Sequence, residues 1–276
     1  MHRWQVGAVE IVRIDSVELI LPSDRPVPAW AVPHLAPSAE ATYLAFSGFG
    51  IVDGDRRIVV DPWLADDSPR RGPDAAARVD RLLEELAAAG LPTAEVDIVV
   101  DTHIDGVGWN TRPSEGDGHA DGWEPTFPRA RYLYPRAELA AVDRGVEIMG
   151  GAELAPLFAA GLVDPVDAAP GPVELSPHVS LHAAPGHNFG HMAVHIDGGD
   201  GPGELAVIPG HLFLDLFTVD DPSFREGDGP EAPAARGRIL DLLARRRGLL
   251  LSPFFGGAGG GRVEGDATSG YCLAVP

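Results

Sequence analysis

Three stretches of the chain end an apolar run on a histidine: Asp101-Thr102-His103 after Val96–Val100, Ala184-Pro185-Gly186-His187 after Val179–Ala183, and Ile208-Pro209-Gly210-His211 after Glu204–Ile208. Each reads as a strand emptying into a loop that contains Gly or Asp. Such loops present side chains that a strand cannot, and α/β sheets gather their ligands at these strand ends. Imidazole is both a general acid or base near neutral pH and the commonest metal-binding side chain. One such histidine alone reads as structural, but three in the same context point to a site. His2, His119, His178, His182 and His195 lack that context and read as solvated or packed residues.

The elements that would position these histidines follow from the apolar pattern. Val9–Leu21 reads as a strand, and Thr42–Val52 with Arg57–Asp61 reads as a hairpin around Asp53-Gly54-Asp55. Pro73–Ala89 carries Val79, Leu82, Leu83 and Leu86 at helical spacing, with Gly90 placed to cap it. Further strands are expected at Val96–Val100, Arg131–Tyr134, Val163–Val166, Val179–Ala183, Met192–Ile196, Glu204–Ile208 and Gly248–Leu251, with helices over Arg136–Ala160 and Ala234–Arg247. A Gly-rich polar loop covers 105–122. The segment 22–41 is rich in proline, which excludes a helix or a central strand there. It is expected to be a stiff surface loop, a candidate lid whose Trp30 and His34 would reach the substrate pocket. With no repeat and no linker, residues 1–276 read as a single layered α/β domain.

Composition narrows the function classes. There are 41 acidic against 21 basic residues, a formal net charge of −20, and every basic residue is arginine. Such a field repels polyphosphate, so neither nucleic acid nor an anionic membrane surface is an expected partner. Nothing approaches the roughly 18 apolar residues of a membrane-spanning helix. The first residues lack a secretory h-region, and the lone Cys272 excludes a disulfide framework, so a cytoplasmic protein is expected.

The stretch Val96-Asp97-Ile98-Val99-Val100-Asp101-Thr102-His103, continued by Val107-Gly108-Trp109-Asn110-Thr111-Arg112, resembles the metallo-β-lactamase superfamily, in its lactonase and metallohydrolase branch. Val59-Val60-Asp61-Pro62-Trp63, Pro125–Tyr132 and Ala184-Pro185-Gly186-His187-Asn188-Phe189-Gly190-His191 match in the same order, so the resemblance runs from about residue 42 to 264. It implies an αββα sandwich with the site at one edge of the two sheets. It also implies that Asp61 supports the ligand loops, that His191 orients the His187 loop, and that Trp109 and Asn110 line the site mouth.

The family's ligand motif, Thr-His-x-His-x-Asp-His-x-Gly-Trp-Asn, is shortened here to Thr102-His103-Ile104-Asp105-Gly106-Val107-Gly108-Trp109-Asn110. In one alignment Asp105 is the motif's aspartate, and the second histidine is lost. In the other Asp105 takes that histidine's place, and the Asp-His pair is lost. His211 stands where a bridging aspartate is usual, and the final histidine falls near Ser252-Pro253-Phe254. The second alignment leaves His103, Asp105, His187 and His211, a set for at most one Zn²⁺, or for Fe²⁺ or Mn²⁺ with open positions. The alternative is a pocket with no metal, in which the same four groups act as acid and base. The resemblance therefore implies an enzyme acting on a small molecule, in first place a hydrolase of an ester or lactone. A metal-independent cyclase, dehydratase or isomerase and a non-catalytic binding module are the alternatives.

Overall fold

A computed structural model describes residues 2–62, 75–104, 108–114, 122–143, 151–224 and 228–275. In chain order, β1 (Arg3–Val6), β2 (Val9–Pro22), β3 (Ala41–Asp53) and β4 (Arg56–Val60) form an antiparallel run, followed by helix α1 (Ala75–Ala88) and strand β5 (Ile98–Val100). A small hairpin, β6 (Thr111–Pro113) with β7 (Trp123–Pro125), precedes β8 (Arg131–Pro135), α2 (Arg136–Asp143), α3 (Gly151–Ala159) and β9 (Val163–Val166). The second half comprises β10 (Val173–Ser176), β11 (Val179–Ala183), β12 (Met192–Asp197), β13 (Leu205–Ile208), α4 (Phe217–Asp220), α5 (Ala232–Arg246), β14 (Leu249–Leu251), β15 (Gly260–Asp266) and β16 (Gly270–Ala274).

The strands form two seven-stranded mixed sheets, ordered β1-β2-β3-β4-β5-β8-β9 and β10 through β16. Consecutive apolar residues face opposite ways, because both faces of each sheet are covered. In β4, Ile58 and Val60 pack between the sheets, while Val59 packs outward with Val79, Leu82 and Leu86 of α1. In β13, Ala206 and Ile208 point inward, while Leu205 and Val207 meet Ile239, Leu240 and Leu243 of α5. The layers are therefore helix, sheet, sheet, helix: the expected αββα sandwich.

Several elements depart from expectation. The helical stretch 136–160 comprises two helices among the described residues, α2 and α3. The glycine-rich stretch 256–261, where the apolar pattern marks no strand, runs into β15 from Gly260. The 22–41 segment is not a free-standing surface loop. Val27, Ala31, Leu35 and Ala36 are buried against the α5 side of the second sheet, and Arg25 lies 4.6 Å from the ring centroids of both Phe217 and Phe224. The prolines stiffen a segment that the core anchors.

Candidate metal centre

Asp61 follows β4, His103 follows β5, His187 follows β11, His211 follows β13 and Phe254 follows β14. These strand ends meet where the two sheets touch. Three backbone hydrogen bonds join the sheets there: Met192 N–H to the Thr102 carbonyl (2.8 Å), Ala45 N–H to that of Phe254 (3.0 Å) and Ser47 N–H to that of Pro253 (3.0 Å). Two glycines make the histidine turns possible. Gly210 has φ +54°, and a Cβ there would lie 2.3 Å from Thr102 Oγ1. Gly186 has φ +141°, and its Cβ would lie 2.3 Å from the Ala232 backbone. An L side chain fits neither the conformation nor the space.

One ring nitrogen from each of His103, His187 and His211 lies within 4.8 Å of the others. The rings meet at steep angles, 88° between His103 and His187, 62° between His103 and His211 and 53° between His187 and His211. Each of the first two has an oxygen behind it. Thr102 donates its backbone N–H to Asp61 Oδ1 and its hydroxyl to Asp61 Oδ2, both at 2.8 Å. The hydroxyl's single proton is thereby committed, so His103 Nδ1, 3.1 Å from Thr102 Oγ1, must be the donor in that contact. His103 Nε2 faces His211 Nδ1. His187 Nδ1 lies 3.1 Å from Asp228 Oδ1, and Asp228 is ion-paired with Arg236. The ring of His211 stacks on Phe254 at 4.3 Å and 11°.

Buried acids and a fourth imidazole surround the cluster. The Glu138 side chain accepts the Ile104 N–H at 2.6 Å, tying α2 to the His103 loop. Burial raises its carboxyl above the usual range, opposed by the Ile104 bond and His103. Burial likewise raises Asp61, opposed by His103 and the Thr102 bonds. Asp101 is raised well above the usual value, by burial first and the neighbouring Asp61 charge second. His191 is 1% exposed, and neither ring nitrogen has a hydrogen-bond partner among the described residues. Burial, then the nearby His103 and His187, hold it well below the ordinary imidazole value. Its ring centroid lies 5.1 Å from that of His103.

The structure therefore brings together His103, His187, His211, His191 and Asp61. Asp105 lies outside the described residues. Trp109 and Asn110 are 4% and 1% exposed, so they pack beneath the loop rather than at an open mouth. Asn110 donates to Asp101 Oδ1 (2.7 Å) and to the Tyr134 hydroxyl (3.0 Å), and Trp109 joins the outer core of the first sheet. Trp30 packs against the α5 core, and His34 is exposed, its carbonyl accepting the Ala258 N–H. Asp215 accepts the Phe217 N–H at the start of α4. Sequence reasoning missed Thr102, Glu138, Asp228 and Arg236. For Arg236 a signal existed: it shares the apolar face of α5 with Ala232, Ala235, Ile239 and Leu240, where a charge must find partners.

The donor set fits one cation. Three imidazoles converge, and a buried imidazole with bare nitrogens stands beside them.

No family model matches the sequence, and no curated protein does. Solved structures do match. A hydrolase of the β-lactamase superfamily, AbOPH, is 16% identical with a TM-score of 0.68, over 100% of this chain and 97% of the other. AidC, a dizinc quorum-quenching lactonase solved with its product N-hexanoyl-L-homoserine, is 17% identical with a TM-score of 0.68, over 99% and 96%. A probable metal-dependent hydrolase from Staphylococcus aureus is 14% identical with a TM-score of 0.65, over 99% of both chains. The two packed sheets, their flanking helices and these full-length matches establish that the chain has the metallo-β-lactamase fold.

Proposed function

We propose that the protein is a small-molecule hydrolase of ester or lactone bonds, with a reduced site for a single divalent metal, Zn²⁺ ahead of Fe²⁺ or Mn²⁺. The observation that carries this is the convergence of His103, His187 and His211 within 4.8 Å at the strand ends. Asp105 is proposed as a fourth ligand on sequence grounds. A divalent metal at such a site polarises a carbonyl and brings the pKa of water to about 7. The chain's own residues aim and protect. Asp61 through Thr102, and Asp228 directly, hold His103 and His187 by their Nδ1 atoms, so that each turns Nε2 inward. Phe254 shields one face of His211 from water. A substrate that is neutral before hydrolysis suits a chain of net charge −20, and the charge argues against nucleic acid as a partner at physiological salt.

A second reading draws on the facing pair of His103 Nε2 and His211 Nδ1. Two facing imidazole nitrogens share either a metal ion or a proton. The proton gives a metal-independent acid–base site for cyclisation, dehydration or isomerisation. Elemental analysis of protein purified without chelators, with an ester and lactone panel, tests both readings. One metal per chain, with turnover lost on chelation, is expected. Two metals per chain would sink the reduced site, turnover by metal-free protein would favour the second reading, and a folded protein with neither would leave a binding module.

A further inference from the structure

Arg236 is 1% exposed, the largest fully buried side chain among the described residues, and its guanidinium is spread over four acceptors. Nε donates to the Leu212 carbonyl (2.6 Å), Nη1 to those of Pro222 and Phe224 (both 3.1 Å), and Nη2 to Asp228 Oδ2. Leu212 directly follows His211, and the other oxygen of Asp228 meets His187 Nδ1. A single buried charge thus reaches two of the three converging histidines, one through its backbone turn and the other through a carboxylate. A buried ion pair adds little net stability over apolar packing of the same volume. What it supplies is geometry, because the planar fork fixes both acceptors at once.

We infer that Arg236 and Asp228 form one positioning unit that sets the tautomer and aim of His187 and seats the His211 turn against it. The guanidinium keeps Asp228 an anionic acceptor in a dry setting, so its other oxygen requires a proton on His187 Nδ1. That leaves Nε2 as the lone-pair donor facing the cluster. Arg236 also fixes the spacing of the two turns, since the Leu212 carbonyl and Asp228 are held on one rigid plane. Both side chains are buried, Arg236 at 1% and Asp228 at 3% exposure, so both act through the histidines. The metal-affinity consequence rests on the hydrolase reading above, whereas the tautomer assignment does not.

The experiment is long-range imidazole ¹⁵N–¹H correlation on the metal-free wild-type chain, followed by Zn²⁺ titration against a competing chelator. Wild-type His187 is expected as the Nδ1–H tautomer. In Asp228→Asn that preference is expected to be lost, and Zn²⁺ affinity to fall about ten- to a hundred-fold. Arg236→Lys, which keeps the charge but not the fork, is expected to shift the His211 and His187 signals together and weaken Zn²⁺ at least as much. Asp241→Asn, on another face of α5 and bonded to Tyr271, serves as the unaffected control. An Nε2–H tautomer at wild-type His187 would overturn the assignment, and that measurement stands even where a variant fails to fold. An unchanged tautomer and affinity in folded Asp228→Asn would overturn it equally. Absence of Zn²⁺ binding by the wild type, with the Nδ1–H tautomer present, would refute the metal reading and leave the positioning unit standing.

Discussion

Two histidine clusters, one on the second sheet and one where the two sheets meet, are built differently. His182 and His195, on β11 and β12, stack face to face at 3.8 Å and 19°, beside a cavity of about 180 Å³ lined by Ala235, Arg238, Ile239 and Leu242 of α5. Parallel rings carry their lone pairs in parallel planes, so the two nitrogens do not converge on one ion. His182 Nε2 is spent on Ser180 Oγ at 3.0 Å. The trio at the sheet edge meets at 53° to 88°, with the Thr102 hydroxyl behind one ring and the Asp228 carboxylate behind another. Adjacency therefore does not distinguish a site from packing. Convergence does, together with a hydrogen-bond acceptor behind two of the rings to fix their tautomers.

The largest expected effect comes from breaking the convergent cluster. His187→Ala is expected to lower metal affinity and kcat/KM by more than about 100-fold, while His182→Ala changes both by less than about twofold. Chelator competition and steady-state kinetics on both variants check the contrast, and equal losses would erase it. Next comes the acceptor behind His103. Thr102→Val removes the hydroxyl that links His103 to Asp61, and about a tenfold loss of metal affinity is expected, with Thr102→Ser restoring it.

The stacked pair has its own signature in pH. Burial, with His182 second and Asp197 opposing, takes His195 from 6.5 to about 3. Its folded value lies below its unfolded value, so between these limits the unfolded chain binds the extra proton. Stability is intact above pH 6.5 and falls as the pH drops toward 3, by at most about 1.4 kcal/mol per pH unit from this group. His191, held low by burial, acts in the same direction. Urea midpoints at pH 4.5 and 7 should therefore converge in His195→Asn relative to the wild type, and an unchanged gap would contradict the assignment. Within the convergent cluster the smallest effect expected is at Phe254→Leu. Loss of the ring stacked on His211 should change kcat/KM by only about two- to five-fold, since apolar volume is largely kept.

The histidines were legible because strand-ending Thr-His and Pro-Gly-His are local patterns, and the strands themselves follow from apolar runs covered on both faces. Asp228 was not. It lies 41 residues from His187 in the stretch Glu226-Gly227-Asp228-Gly229, which has no period and no signal beyond a turn. Only the fold brings it under the imidazole. Trp109 and Asn110 were misplaced for the opposite reason. The resemblance put them at a mouth, whereas the buried Asp101 and the Tyr134 hydroxyl draw the Asn110 amide inward. The C-terminal hairpin β15–β16 was hidden by the glycine run that opens it, since side-chain pattern is the usual mark of a strand and glycine has none.

The hydrogen bonds that join the two sheets at this edge carry a thermodynamic consequence. His103 belongs to the first sheet, His187 and His211 to the second, and 108 residues separate the outer two. A ligand gripped by all three exists only while the sheets are docked, so it acts as a clasp on the sandwich. At a hundred times its dissociation constant it would add about 2.7 kcal/mol to the docked state. Neither half of the chain, expressed alone, holds the complete grip, and the melting temperature of the whole should climb with ligand concentration.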